Sequence, residues 1–332
     1  MTTAGRLLVT GGRGLLGNAV IAAAACRGWR VVSLQRHPSG MADGDQVTDV
    51  IGSVTDPSSV AEAIDGCDAV IHLAAKVGIE GRWREFEDVN VGGTASVLSA
   101  ARSAGIGSFV YVSSPSVAHA GRALVGADAG PADPFSARGH YSRSKAMAER
   151  LVLECADLPV VALRPHLVWG PGDEQLVGRI VSRARSGRLF VIDGGRALID
   201  TTYIDNAADA IVASITRTAK SDVRGRAFVI SNAEPRPVRE IVESIVRAAG
   251  LPAAVRSVPF APAFAVGAVG EWVGAMTRRE PLVTRFLVEQ LATAHWFDPR
   301  PSWDALGWRP LVGLDEGMRR LADSFSGARL DC

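Results

Sequence analysis

The chain has 332 residues, 47% of them apolar, enough for one large α/β domain or a nucleotide domain with a smaller partner. A formal net charge of +1 gives no global pull toward nucleic acid or an anionic membrane. Four widely separated cysteines without metal-like spacing predict reduced thiols and no metal; with a first strand close behind Met1, they predict a cytoplasmic protein.

The elements begin at once. Leu7-Leu8-Val9 reads as a strand, Gly11-Gly12-Arg13-Gly14-Leu15-Leu16-Gly17 as a glycine turn, and residues 18–25 as a helix that stops at Gly28. A strand, a glycine turn and a helix in that order form a phosphate cradle. Glycines admit the pyrophosphate close to the backbone, and free N–H groups at the helix start favour its charge. Gly11, Arg13, Gly14, Leu15 and Leu16 are therefore candidate cofactor contacts.

Strands follow at 30–34, 47–51, 69–73, 109–112 and 160–163, separated by helical stretches at 57–65, 83–104 and 141–155. This alternation predicts a Rossmann-type, doubly wound parallel sheet with its ligands at the carboxyl ends of the strands. The pattern loosens after about Gly170, with a helix at 175–186, short strands at 189–192 and 227–230, and a helix at 238–249. Residues 1–172 are read as a nucleotide-binding domain to which later strands return. Residues 173–332 are read as a smaller C-terminal α/β substrate region. The longest apolar run, 258–270, is too short and too interrupted to span a membrane, and it opens the apolar segment 259–276. Its Phe260, Phe264, Val266, Val269 and Trp272 suit a helix packed on the core, a cap on a hydrophobic pocket, or a weak contact with a membrane surface.

Tyr141 and Lys145 lie four residues apart at the start of a predicted helix, so phenol and ammonium share a face. A nearby lysine charge is expected to lower the tyrosine pKa and improve it as an acid/base. The strand 109–112 ends in Ser113 and Ser114, where a helper hydroxyl for a substrate oxygen belongs.

These marks resemble the extended short-chain dehydrogenase/reductase superfamily over most of the chain. So do Val70-Ile71-His72-Leu73-Ala74-Ala75, Asn90-Val91-Gly92-Gly93-Thr94, Arg164-Pro165-His166-Leu167-Val168-Trp169-Gly170-Pro171-Gly172 and Tyr203-Ile204-Asp205-Asn206. Within the superfamily, Ala74-Ala75-Lys76-Val77-Gly78, Ser113-Ser114-Pro115-Ser116-Val117, the 163–173 stretch and Glu280-Pro281-Leu282-Val283-Thr284-Arg285-Phe286 resemble the 3β-hydroxysteroid dehydrogenase-like branch. They are similar there to the bacterial 2-alkyl-3-oxoalkanoate reductases.

The resemblance implies roles position by position. Tyr141 passes the proton, Lys145 bonds the nicotinamide ribose and tunes Tyr141, and Ser114 orients the reacting oxygen. Leu73, Ala74 and Ala75 pass beside the cofactor, and Pro165, Leu167 and Val168 line the nicotinamide. Ser53 and Val54 occupy the adenine-contact segment, with Ser53 standing where many members carry Asp. Asn90 supports local helix geometry. Two copies are expected to pair through the 83–104 and 141–155 helices. Strand two ends Ser33-Leu34-Gln35-Arg36-His37 with no acid for a ribose diol, so Arg36, helped by Arg13, favours NADP(H) over NAD(H). The expected substrate is a hydrophobic β-keto acid or sterol-like ketone, with Lys76, Ser116, His166 and Arg196 as candidate contacts and His119 nearby. Two other readings stay open: a nucleotide-sugar epimerase or reductase with tightly held NAD, and a non-enzymatic NADP(H)-sensing regulator.

Overall fold

The computed structural model describes residues 5–42, 45–78, 81–118, 122–277 and 284–327. His119, Cys332 and the 280–283 part of the last branch mark lie outside the described residues.

The first half alternates as its pattern dictates. Strands β1 (Arg6–Thr10), β2 (Arg30–Gln35), β3 (Val47–Ile51), β4 (Ala69–His72) and β5 (Ser108–Val112) are interleaved with α1 (Leu15–Cys26), α2 (Pro57–Ile64), α3 (Trp83–Phe86) and α4 (Gly93–Ser103). A short β6 (Leu124–Ala127), α5 (Gly139–Leu153) and β7 (Val160–Pro165) follow. Next come β8 (Val168–Trp169), α6 (Val177–Arg185), β9 (Phe190–Ile192), β10 (Leu198–Ile199), β11 (Thr202–Tyr203) and α7 (Ile204–Ser214). The chain then forms β12 (Arg226–Ile230), β13 (Arg236–Pro237), α8 (Val238–Ala248), β14 (Arg256–Val258) and α9 (Phe260–Thr277). It closes with α10 (Arg285–Ala292), β15 (His295–Phe297), α11 (Arg300–Leu306) and α12 (Leu314–Phe325).

Seven parallel strands form the main sheet in the order β12-β7-β5-β4-β1-β2-β3. Apolar side chains alternate to its two faces, as the period of a strand requires. Leu7, Val9, Ile71, Val110 and Val161 pack with α1 and α7, while Leu8, Val70, Phe109 and Val160 pack with α2, α4 and α5. The strand order reverses between β1 and β4, which opens the crevice where such sheets bind ligands. β12 comes from residues 226–230, so the sheet is completed by chain that has already passed through the C-terminal region.

The stretch 83–104, expected as one helix, is broken. α3 leads into a π-helical turn, Glu87–Gly92, before α4. Asn90 sits in this turn, and its amide is committed elsewhere. It accepts from Lys76 N at 2.6 Å and donates to Lys76 O at 3.0 Å and to Ser144 Oγ at 2.8 Å. A side chain serving three outside partners holds the helix away from the regular ladder.

The C-terminal region uses short strands of two or three residues and a separate core around Trp169, Tyr203, Val191, Ile241 and Ile245. Helix α9 packs one side on β9 and α10, where Ala263 is buried with Ile192 and Val288. At Gly267 an added Cβ would lie 2.8 Å from Arg285 N, so glycine sets that close approach.

Candidate active site

β1 delivers the chain into the glycine turn. Gly11 has φ +77°, and a Cβ there would lie 2.8 Å from Ala74 N. At Gly17 it would lie 2.3 Å from the Gly11 carbonyl oxygen. These positions exclude side chains and keep the turn against β4 and α1. The N-cap of α1 is Gly14, which offers no side-chain acceptor, and the first turn carries no acid. The leading N–H groups are left for an anion, so the cradle fits a dinucleotide pyrophosphate. Leu15 and Leu16 open the helix half-buried. Leu73, Ala74 and Ala75 line the facing edge, where Leu73 N donates to Thr10 O and Ala74 N to Thr10 Oγ1 at 3.2 Å.

Arg13 and Arg36 are both exposed and make no side-chain hydrogen bond or ion pair among the described residues. The acid missing from β2 is present on β3. Asp49 accepts from Gln35 Nε2 at 2.9 Å, Ser39 N at 2.8 Å and Ser39 Oγ at 3.0 Å. Reading strand two alone misses it, although strand pairing sets Ser33 opposite Asp49. Ser53 caps its own turn through Thr55, and Val54 is buried against Gly93.

The reacting groups stand at the carboxyl end of β5. Ser114 begins a short 3₁₀ turn, its hydroxyl pairs with Ser116 Oγ at 2.9 Å, and it is near enough to the Tyr141 phenol to draw its pKa down. Lys145, one turn along α5, is 2% exposed. It donates to Val112 O at 2.6 Å and lies 4.1 Å from the centroid of the Tyr111 ring. The structure thus brings Ser114, Ser116 and Tyr141 together with Lys145 behind them. Ser113 is buried, its hydroxyl without a partner among the described residues.

Electrostatics differ from the sequence expectation. Burial pushes the Tyr141 phenol up to about 12, opposed by the Ser114 hydrogen bond. Burial brings the Lys145 ammonium down to about 7, opposed by Glu149. Lys145 does not lower Tyr141 in this arrangement, because its ammonium is turned to the Val112 carbonyl and desolvation outweighs the remaining attraction.

Behind the site run two polar chains that motif reading leaves out. Glu149, one further turn along α5, forms a fully buried ion pair with Arg164, whose Nε lies 2.9 Å from Glu149 Oε2. Arg164 also donates to Ala129 O, tying the β6 segment to α5 and β7. The signal was available: Tyr141, Lys145 and Glu149 follow one another at intervals of four. In the second chain, His72 Nδ1 meets Thr10 Oγ1 at 2.7 Å and His72 Nε2 meets Thr94 Oγ1 at 2.9 Å. Burial, reinforced by Lys145, holds His72 down to about 3.

The remaining candidates are placed unevenly. Pro165 ends β7 in the interior, Leu167 turns the chain at φ +44°, and Val168 begins β8. Such a left-handed non-glycine residue marks strain next to a site. The Lys76 ammonium is 3.0 Å from Glu85 Oε2 and 5.2 Å from the Phe86 ring centroid. His166 is buried, its Nε2 3.1 Å from His295 Nδ1 and its ring edge-on to Phe297. Arg196 is exposed beyond the Gly194-Gly195 turn and makes no hydrogen bond or ion pair with the Ser114–Tyr141 group. No cluster of metal-binding side chains occurs among the described residues.

A phosphate cradle at the switch point, with serine, tyrosine and lysine beside it, defines an NAD(P)-dependent oxidoreductase of the extended short-chain dehydrogenase/reductase type. The chain belongs to the 3-beta hydroxysteroid dehydrogenase/isomerase family, whose model matches residues 8–260. It is 42% identical to a 2-alkyl-3-oxoalkanoate reductase of Stenotrophomonas maltophilia, over 96% of this chain and 99% of the relative. It is 36% identical to a protein of the same name from Shewanella oneidensis, over 96% of this chain and 85% of the relative. Among solved structures, a dTDP-glucose 4,6-dehydratase from Streptomyces venezuelae with NAD and DAU bound has the same fold. Its TM-score is 0.75 at 21% identity, over 97% of each chain.

Proposed function

We propose that the chain reduces the ketone of a hydrophobic β-keto acid or sterol-like substrate with NADP(H), or oxidises the matching secondary alcohol, with Tyr141 passing the proton. The placing of Ser114 at the end of β5 close to Tyr141, with Lys145 buried one turn further along α5, carries this reading. The nicotinamide supplies the hydride. A phenol whose pKa burial raises stays protonated at neutral pH, the form that can pass a proton to a carbonyl oxygen. Ser114 orients the carbonyl oxygen, and Lys145 holds the ribose. A lysine titrating near 7 has its charge to offer around neutral pH. The names of the relatives support a 2-alkyl-3-oxoalkanoate as the substrate class.

The phosphate of NADP suits Arg13 and Arg36, which have no side-chain partner among the described residues, while Asp49 already accepts from Gln35 and Ser39. The homodimer is proposed on α4 and α5. The test is cofactor oxidation with NADPH and NADH against hydrophobic 3-keto acids, 3-ketosteroids and nucleotide sugars. We expect NADPH-dependent turnover of a hydrophobic ketone, with the preference over NADH reduced about tenfold in Arg36→Asp. Nucleotide-sugar turnover, with stoichiometric NAD released on denaturation, would overturn the reading.

A further inference from the structure

Lys76 follows directly on the Leu73–Ala75 edge of the cradle, and its backbone is tied to the Tyr141 end of α5. The Asn90 amide that clamps the Lys76 N–H and carbonyl also donates to Ser144 Oγ, which donates in turn to Tyr141 O at 2.9 Å. The side chain follows the same course. Its ammonium is 5.2 Å from the Phe86 ring centroid, and that ring is 5.9 Å from the ring of His140, the residue before Tyr141.

This ammonium already holds a carboxylate, Glu85 Oε2 at 3.0 Å, in a pair that is only part-buried: 31% of the Lys76 side chain and 41% of the Glu85 side chain are exposed. Ion pairs so open to water are weak. Glu85 has a second cation on its other oxygen, since Arg82 N and Nε both reach Oε1 at 3.4 Å. Lys76 can therefore leave without stranding a buried charge. Gly81, at φ +116°, keeps the pair uncovered: a Cβ there would lie 2.8 Å from Lys76 Cε and 3.0 Å from Glu85 Oε2. Two other cations on α5 are engaged elsewhere. Lys145 is buried and donates to Val112 O. Arg143 stacks 4.6 Å over Trp83, and at two residues from Tyr141 it lies off the tyrosine's face of the helix.

In a β-keto acid a single carbon separates the carboxylate from the ketone. With the ketone oxygen at Ser114 and Tyr141, the acid group falls beside the reacting centre. We propose that Lys76 binds this substrate carboxylate, and that Glu85 is the carboxylate it gives up to do so. One anion replaces another on the same ammonium, so the exchange brings no unpaired charge into the site. An ester, a thioester or a neutral ketone offers nothing to replace Glu85 and gains nothing from the lysine. The inference rests on the ketone reading and narrows it to substrates with a free acid next to the reacting carbon.

The test is NADPH formation by the full chain from a 2-alkyl-3-hydroxy acid and from its methyl ester, each with NADP+. In Lys76→Met and Lys76→Gln the KM of the acid should rise about ten- to hundredfold, with kcat unchanged. Turnover of the ester and NADPH affinity by fluorescence titration should hold. Glu85→Gln, which removes the competing carboxylate, should lower the KM of the acid and leave the ester unchanged. Lys76 variants that treat acid and ester alike, with NADPH affinity intact, would overturn the proposal. So would a Glu85→Gln variant that changes both substrates equally. A wild-type chain that oxidises neither compound would overturn the ketone reading as well. One that oxidises both, with Lys76 indifferent to the carboxylate, would overturn this inference alone.

Discussion

The nucleotide-binding half and the C-terminal region solve different problems with the same kind of chain. In the first, backbone geometry dictates residue identity: Gly11 and Gly17 are glycines because a Cβ would collide with Ala74 N or Gly11 O. Two runs of its buried polar groups are paired into chains, from Thr10 through His72 to Thr94 and from Glu149 through Arg164 to Ala129. In the second, strands of two or three residues support an apolar helix with one open side. The difference teaches that the chemistry travels with the backbone of the sheet. What the protein acts on or rests against is written in side chains that the sheet does not constrain.

The comparison can be broken most forcefully at Tyr141. Tyr141→Phe removes the proton and keeps the ring, so turnover should fall about 10²–10⁴-fold with NADPH affinity intact by fluorescence titration. Near-normal turnover would mean that the nucleotide half holds no acid/base of its own. Next comes the buried pair. Arg164→Met leaves Glu149 charged in the interior and should cost about 3–5 kcal/mol in urea denaturation, much of it recovered when Glu149→Gln is added. If the single variant is neutral, the polar chain behind the site is not a structural element.

The smallest effect separates the two regions by pH. His72, in the first, is held near 3 by burial and Lys145, so its contribution to stability is lost as pH falls from 6.5 toward 3. Asp200, in the second, is fully buried and pushed up to about 6 by desolvation, opposed mainly by Ser231. Its contribution is full below 3.8 and is lost as pH rises through 6. Between pH 6 and 4 the two slopes oppose one another, each at most about 1.4 kcal/mol per pH unit. His72→Gln should flatten the acid limb of urea-derived stability, and Asp200→Asn should steepen it. Identical profiles would show that the regions do not titrate independently.

Much of the site was legible because its constraints are local. The glycine turn is set by backbone approach, and the Tyr141–Lys145 pair by helical spacing. The choice of Ser114 over Ser113 comes from the resemblance, as the residue three before Val117, and Ser114 is the one that acts on the Tyr141 phenol. The illegible parts depend on partners brought together by folding. Arg164 lies 15 residues from Glu149 and belongs to a different element. Asp49 reaches the end of β2 only through strand pairing. The tyrosine pKa turned on desolvation, which spacing does not encode. Hydropathy marked 259–276 as apolar, but which side would be covered is decided by β9 and α10.

The widened turn at Glu87–Gly92 makes chain length itself a functional variable. A π turn holds one residue more than the helix on either side, so the register of α4 depends on that extra residue being present. Thr94 reaches back to Asn90 O at 2.6 Å and forward to His72, while Asn90 spans Lys76 and Ser144. Deleting one residue of the turn would tighten it toward a regular helix and disturb the bonds that Asn90 and Thr94 make from it. Such a deletion would alter no motif side chain outside the turn, and it would still unhook β4 from α5. At this point the count of residues specifies the enzyme as strictly as their identity does.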